Sequence, residues 1–321
     1  MPESRSLLAI NENRFKFIDL FAGIGGMRLA FEKAGGECVF SSEWDRFAQQ
    51  TYQSNFDEVP FGDITRINER EIPKFDIVTA GFPCQPFSSI GKRQGFEHKT
   101  QGTLFYDVAR IIAHHKPKAF LLENVSGLVT HDKGNTLSTI IETLEEMNYS
   151  VSYKILDSAD FGVPQKRQRI YIVGFNKGKI RKADFAFPKP RSSRVGIGKF
   201  VENGHPELSI SKHLQSVYIY KEDDGRPEVI TPKSDFPVKT LVASYHKIQR
   251  LTGTFVKDGP TGLRLLSANE CKAIMGFPKS FKVPVSRTQM YRQFGNSVAV
   301  PVVAAVAKSM VKHIEENGRR K

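Results

Sequence analysis

From Phe15 onward, short apolar runs that stop at glycine, proline or an acidic residue alternate with longer stretches whose apolar positions recur every three or four residues. The short runs indicate buried strands and the longer period indicates amphipathic helices. Their alternation predicts a parallel sheet wound with helices on both faces. The strand candidates are FKFIDLF (15–21), ECVFSSE (37–43), FDIVTAG (75–81), KAFLLEN (118–124) and RIYIVGF (169–175). TLFYDVARIIAHH (103–115) predicts a helix with Leu104, Phe105, Val108, Ile111 and Ile112 on one face, ending ahead of Pro117, because a proline disfavours the helical conformation in the residue before it. LSTIIETLEEM (137–147), ANECKAIMGF (268–277) and VPVVAAVAKSMVKHIEE (300–316) predict further helices, the last packing back onto the first domain.

Between these regimes the pattern breaks. Residues 176–260 hold seven of the 17 prolines and only short β-like pieces such as SVYIY and VKTLVASY, which predicts a smaller, irregular, mostly β module. The expected division is a first domain over 1–187, the module over 188–262, and a segment over 263–321 that returns to the first domain.

Charge adds to this picture. The net charge is +13, and residues 176–260 carry 16 Lys and Arg against nine Asp and Glu, more than half of that excess in about a quarter of the chain. Such a basic concentration favours a polyanionic partner, although an excess of lysine also serves solubility. With 40% apolar and 25% charged residues in a chain of 321, a compact protein is expected. Three widely spaced cysteines (Cys38, Cys84, Cys271) argue against a disulfide framework or a thiolate zinc site. No run approaches the length of a membrane span and MPESRSLLAINENRFK lacks a long apolar core, so a cytoplasmic, membrane-free protein is expected.

In an open parallel sheet, ligands bind beyond the carboxyl ends of the strands, and each strand candidate ends in useful chemistry. The first runs into FAGIGG, where Gly23, Gly25 and Gly26 permit a tight turn and close backbone approach to a ligand. The second ends at Glu43 and Trp44, a carboxylate suited to ribose hydroxyls beside an indole suited to a purine. Together they outline an adenosine site, which a dinucleotide would fit equally. Asp63 in FGDIT reads as a helix N-cap or as part of that site.

GFPCQPFS places Cys84 in a loop between Pro83 and Pro86, just after a buried strand, where core packing does not explain a thiol. To act as a nucleophile it needs a setting that favours the thiolate. Cys38 and Cys271 lie in apolar patterns and read as core residues. Glu123 ends AFLLEN, where an acid is costly unless it is paired or points into a site. Arg167 and Arg169 alternate into the next strand and face one side, towards Glu123, either for a substrate or as a structural pair.

With FIDLFAGIGG, GFPCQPFS, the Glu-Asn-Val at 123–125, QKRQR (165–169) and QFGNSV (293–298) in this order, the chain resembles the DNA (cytosine-5) methyltransferases of bacterial restriction–modification systems. The resemblance covers nearly everything except residues 188–260, and even there Thr240 and Leu241 resemble the family's Thr-Leu pair. It implies a Rossmann-like, S-adenosylmethionine-dependent α/β fold with a smaller target recognition domain. It also implies double-stranded DNA as substrate, with Cys84 as nucleophile, Glu123 on cytosine N3 and the exocyclic amine, Arg169 on the O2 side and Arg167 supporting the loop or a phosphate. The cofactor site it implies comprises Phe21, Gly23, Gly25, Gly26, Glu43, Trp44, Asp63, Ile64, Pro83, Leu104, Asn296 and Ser297. Gln85, Ser88, Thr240 and Leu241 fall to DNA recognition, and SSIGKRQGFEHKTQG (88–102) to a closing loop or an ordinary surface connection. Ser267 stands where the family usually has threonine. A monomer is expected, either the modification enzyme of a restriction–modification system, with a cognate restriction endonuclease as a possible functional partner, or an orphan DNA methylase. The competing readings are a tRNA methyltransferase of the same architecture, whose Cys-Phe-Thr tripeptide is absent, a nicotinamide-dependent oxidoreductase built on the glycine turn, and a nucleic-acid-binding protein without activity. The oxidoreductase leaves the Pro-Cys-Gln loop and the basic module unexplained.

Overall fold

A computed structural model describes residues 15–83, 104–182, 184–222 and 224–319. Six strands form one sheet: β1 (Lys16–Leu20), β2 (Glu37–Ser42), β3 (Ile77–Ala80), β4 (Ala119–Val125), β5 (Tyr149–Asp157) and β6 (Gln168–Asn176), in the order β2-β1-β3-β4-β6-β5. The first four strands in that order run parallel, and β6 lies antiparallel to both β4 and β5. Because β1 has β2 on one side and β3 on the other, the crevice above its carboxyl end is a switch point of the topology, where open sheets bind ligands.

Central strands buried on both faces read as continuous apolar runs, and every residue of β3 and all but the first of β1 are buried. The two-residue alternation divides the core. Phe17, Leu121 and Val173 face one layer, with Ala30 and Phe31 of α1 (Gly26–Lys33) and Val306 and Met310 of α8 (Val300–Asn317). Ile18, Val78, Leu122 and Ile172 face the other, with Val108 and Ile112 of α3 (Phe105–His115) and Ile140 and Leu144 of α4 (Asn135–Glu146). Helix α2 (Arg46–Phe56) starts at Asp45, whose carboxylate accepts from the Phe47 and Ala48 amides. Helix α3 ends at Lys116 in the left-handed conformation, one residue before Pro117, as the sequence requires. The helical stretch Arg287–Asn317 is long and apolar enough by composition to cross a membrane, yet 56% of its most apolar window is buried within the protein.

Three readings of the pattern change. Strand β5, at one of the two sheet edges, is missing from the sequence candidates because its middle is exposed, with Tyr153 and Ile155 only half covered, so its apolar alternation is interrupted. SVYIY is not a β piece but lies in a helical turn, Gln215–Ile219, which continues from the single turn α5 (Lys212–Leu214). VKTLVASY contains no strand either; Val238, Leu241 and Tyr245 are apolar because they are buried, and its one bridge pairs Val238 with Gln165. Among the described residues, regular β structure of the smaller module is confined to β7 (Glu228–Ile230) and β8 (Thr254–Val256), paired in parallel.

The module shares the core of the main sheet, with Ile197, Leu208, Ile230 and Phe255 in the same apolar cluster as Phe17 and Val173. A buried ionic knot fixes it to α6 (Ala268–Met275). Arg264, fully enclosed, donates from Nη1 and Nη2 to the two oxygens of Glu270 at 2.9 Å each and from Nε to Asp258 at 2.8 Å. Glu270 also closes a capping box with Ser267, whose hydroxyl keeps the role that threonine would have there. Removing one partner of such a pair strands a charge, so Glu270→Ala is expected to destabilise the protein by about 3–5 kcal/mol. Urea denaturation measures this, and a loss under about 1 kcal/mol would show that the knot is not what holds the module.

Candidate active site

The turn after β1 is built on left-handed backbone, with positive φ at Phe21 (55°), Gly23 (56°) and Gly25 (85°). A Cβ on Gly25 would lie 2.2 Å from the Phe56 ring, and one on Gly26 would lie 2.9 Å from Ser297 Oγ. A Cβ on Gly23 would meet nothing within 4 Å, so that side of the turn is open. Glu43, at the end of β2, ties the turn in place: its carboxylate accepts from the Gly23 amide at 2.8 Å and from the Asp45 amide at 2.8 Å. Burial pushes the Glu43 carboxyl up, against the pull of these donors. Beside it Trp44 is 79% exposed, an indole with a free face.

The neighbouring wall comes from Asp63 and Ile64. Asp63 caps a short turn, accepting from the Thr65 amide at 3.0 Å, which is its N-cap reading. Ile64 is buried. Pro83 is exposed at the end of the segment leaving β3, Leu104 precedes α3, and Asn296 and Ser297 lie where α7 (Arg287–Asn296) ends. Gly26 against Ser297 thus brings the C-terminal segment to the first turn of the chain.

Glu123 sits near the end of β4 on the same sheet face as Arg169, since it pairs with Tyr171 in β6 and Arg169 pairs with Val125. The Arg169 guanidinium Nε lies 3.3 Å from Glu123 Oε1. Burial raises the Glu123 carboxyl above its ordinary range, and Arg169 and Arg167 offset this only in part. Gly81 faces the pair: a Cβ there would be 3.7 Å from Glu123 Oε2. The sequence reading overlooked Asn124, which points to the opposite face and donates from Nδ2 to the Phe82 carbonyl at 2.9 Å. It therefore anchors the stem of the segment that continues to Cys84. Its adjacency to Glu123 at the end of a buried strand was the available signal, because two successive polar residues there need partners on both faces.

Arg167 is enclosed and donates to three backbone carbonyls, Leu241 at 3.1 Å, Gly295 at 2.9 Å and Ser297 at 2.6 Å. That is a bracing arrangement rather than one that reaches a phosphate. Leu241 is buried, and the Thr240 hydroxyl donates to the Lys166 carbonyl at 2.7 Å. Cys84, Gln85, Ser88 and the loop 88–102 lie outside the described residues. Burial pushes the Cys38 thiol up to about 12 and raises the wholly enclosed Cys271 thiol as well, so neither of these two supplies a thiolate at neutral pH.

A glycine turn at the switch point, a largely enclosed carboxyl paired with an arginine and a C-terminal return are thus brought together on one side of the sheet. The family model described as C-5 cytosine-specific DNA methylase matches residues 15–312. The chain belongs to this family. The methyltransferase is 60% identical over 296 residues to the Type II methyltransferase M.MspI of Moraxella sp, covering 92% of this chain and 70% of that one. It is 57% identical over 302 residues to the Type II methyltransferase M.BsuFI of Bacillus subtilis, covering 94% and 73%. The fold is also that of solved methyltransferase structures. A variant of the Spodoptera frugiperda DNMT2 superposes with a TM-score of 0.75 at 24% identity, over 92% of this chain and 99% of the other. The enzyme is a DNA (cytosine-5) methyltransferase of the restriction–modification type, and its six-stranded sheet belongs to the fold it shares with that structure.

Two tests follow from this geometry. A carboxyl with a native pKa above its ordinary value of 4.5 contributes most to stability below that value and loses the contribution as pH rises through the native one. Glu123→Gln does not titrate, so its stability relative to the parent enzyme is expected to rise from pH 4.5 upward; parallel pH profiles of the two urea midpoints would contradict the raised value. Asn124→Ala leaves the Phe82 carbonyl without its donor and is expected to cost about 1–3 kcal/mol, measured by the same denaturation, with Asn124→Asp failing to restore it.

Proposed function

We propose that the enzyme methylates carbon 5 of a cytosine that is flipped out of duplex DNA, through a covalent bond between Cys84 and cytosine C6. The observation that carries this reading is the largely enclosed Glu123–Arg169 pair with Gly81 against it, three residues ahead of Cys84 in the chain. Glu123, its acid form favoured by burial, contacts N3 and the exocyclic amine, while Arg169 holds the O2 side. A carboxyl that keeps its proton can donate to N3 and draw electron density from C6, which invites attack by the Cys84 thiolate there. The adduct makes C5 nucleophilic. After C5 is methylated, loss of its proton and β-elimination restore Cys84. A stacked base cannot reach such a pocket, so the cytosine leaves the helix at a cost of a few kcal/mol, offset by protein contacts.

The crevice fits S-adenosylmethionine. Gly23 leaves open space at the turn, Glu43 is fixed beside it by two amides, and the Trp44 indole is free to stack. Phe21, Gly23, Gly25, Gly26, Glu43, Trp44, Asp63, Ile64, Pro83, Leu104, Asn296 and Ser297 would hold it. When bound, it supplies an electrophilic methyl group. The basic module, residues 188–262, reads the DNA with Gln85 and Ser88 on the catalytic side, while Thr240 and Leu241, held by residues 165–167, brace its base rather than meet the DNA. The enzyme acts as a cytoplasmic monomer on double-stranded DNA, alongside a cognate endonuclease that recognises the same site.

Glu123→Gln is expected to lower kcat by about 10²–10⁴-fold, read as transfer of labelled methyl groups to duplex DNA. Cys84→Ser is expected to abolish transfer while retaining DNA binding. With 5-fluorocytosine at the target position the parent enzyme should form a stable adduct at Cys84. Methylation that survives in Cys84→Ser, or labelling of tRNA but not DNA, would sink the proposal.

A further inference from the structure

Residues 164–167, immediately ahead of β6, grip residues 238–241 of the smaller module through five hydrogen bonds. The Val238 amide donates to the Pro164 carbonyl at 2.9 Å, and the Lys166 amide donates to the Val238 carbonyl at 2.8 Å. The Thr240 hydroxyl donates to the Lys166 carbonyl at 2.7 Å. The two backbone groups of Leu241 are then taken by side chains: its amide donates to Gln165 Oε1 at 2.7 Å, and its carbonyl accepts from Arg167 Nη1 at 3.1 Å.

Gln165 is fully buried. Its Nε2 donates to the Ile274 carbonyl at 2.7 Å, within α6, so one amide joins the module to that helix as well as to the approach to β6. An apolar side chain would fill the same space. What the amide adds is a fixed register, because every displacement of Leu241 leaves a buried polar group unpaired. The contact is also tight on the far side: a Cβ on Gly295 would lie 2.3 Å from the Ala243 amide nitrogen. Two residues beyond Arg167, the same strand presents Arg169 to Glu123 at 3.3 Å.

We propose that Gln165 is a positioning residue for methyl transfer, fixing Leu241 of the module against the strand that carries Arg169, so that a correctly engaged DNA site sets the place of the Arg169–Glu123 pair. This rests on the reading of residues 188–262 as the part that engages DNA. The role differs from base contact. A residue that touches DNA governs affinity, whereas a residue that relays its placement governs the rate once DNA is bound.

The test is Gln165→Leu in the full-length enzyme, with kcat, KM for matched duplex DNA and Kd for S-adenosylmethionine measured together, and amide hydrogen exchange followed over residues 238–245. The expected result is a fall in kcat of about tenfold, with KM and Kd changed less than about twofold, and faster exchange confined to that segment. An unchanged kcat, or a loss seen only in KM, overturns the positioning role. Should Gln165→Leu fail to fold, Thr240→Val decides: it deletes one hydroxyl at a half-buried position of the same clamp. It is expected to lower kcat about threefold at constant DNA affinity. A weaker DNA affinity with normal kcat would mean that Thr240 meets the DNA itself, against the proposal. Absence of methyl transfer by the unaltered enzyme would instead defeat the functional reading, while normal transfer by it and by both variants defeats the positioning role alone.

Discussion

A carboxyl largely shut away from water near the carboxyl end of a central strand constrains everything around it. Glu123 lies near the end of β4, after strand residues that are all enclosed, and among the described residues its contacting charged neighbour is Arg169 on the adjacent strand. A lone buried carboxylate would be prohibitively costly, while a fully neutralised one would lose its ability to hold a proton. The single arginine at 3.3 Å leaves it between these limits. The antiparallel pairing of β4 with β6 is what makes that compromise possible, because it sets the two side chains diagonally on one face.

The run of chain just ahead of β6 explains how a basic, irregular module can work with a regular catalytic sheet. Pro164 to Arg167 form the joint, and most of its bonds are to backbone groups rather than to side chains. Side chains elsewhere in the module can therefore change to suit a different DNA sequence without disturbing the joint. The Arg264 knot adds a second anchor, and both anchors engage α6, at Ile274 and at Glu270.

The sheet was legible in the sequence wherever strands are buried on both faces, as in IVTA of β3 and AFLLEN of β4, because nothing interrupts their apolar runs. It was not legible at β5, where one face meets solvent and YSVSYKILD carries a diluted signal. SVYIY misled because apolar and aromatic residues in a short run suit a strand, whereas here Val217, Tyr218 and Tyr220 are exposed and only Ile219 turns inward. The glycine turn, Glu43 and Glu123 could be found because each breaks a local rule: glycine after a strand, an acid at the end of an apolar run. Asn124 stands out only as a second polar residue beside Glu123, and Gln165 breaks none. Their importance comes from partners that are 42 and 76 residues away, and a neutral amide leaves no periodic or charge signature.

The opposition of Gly26 and Ser297 has a consequence for biosynthesis. The glycine turn that follows β1 lacks its opposite wall until the end of α7 has been made. A chain cut short between the two holds no closed crevice, so competence to modify a chromosome waits on that later stretch.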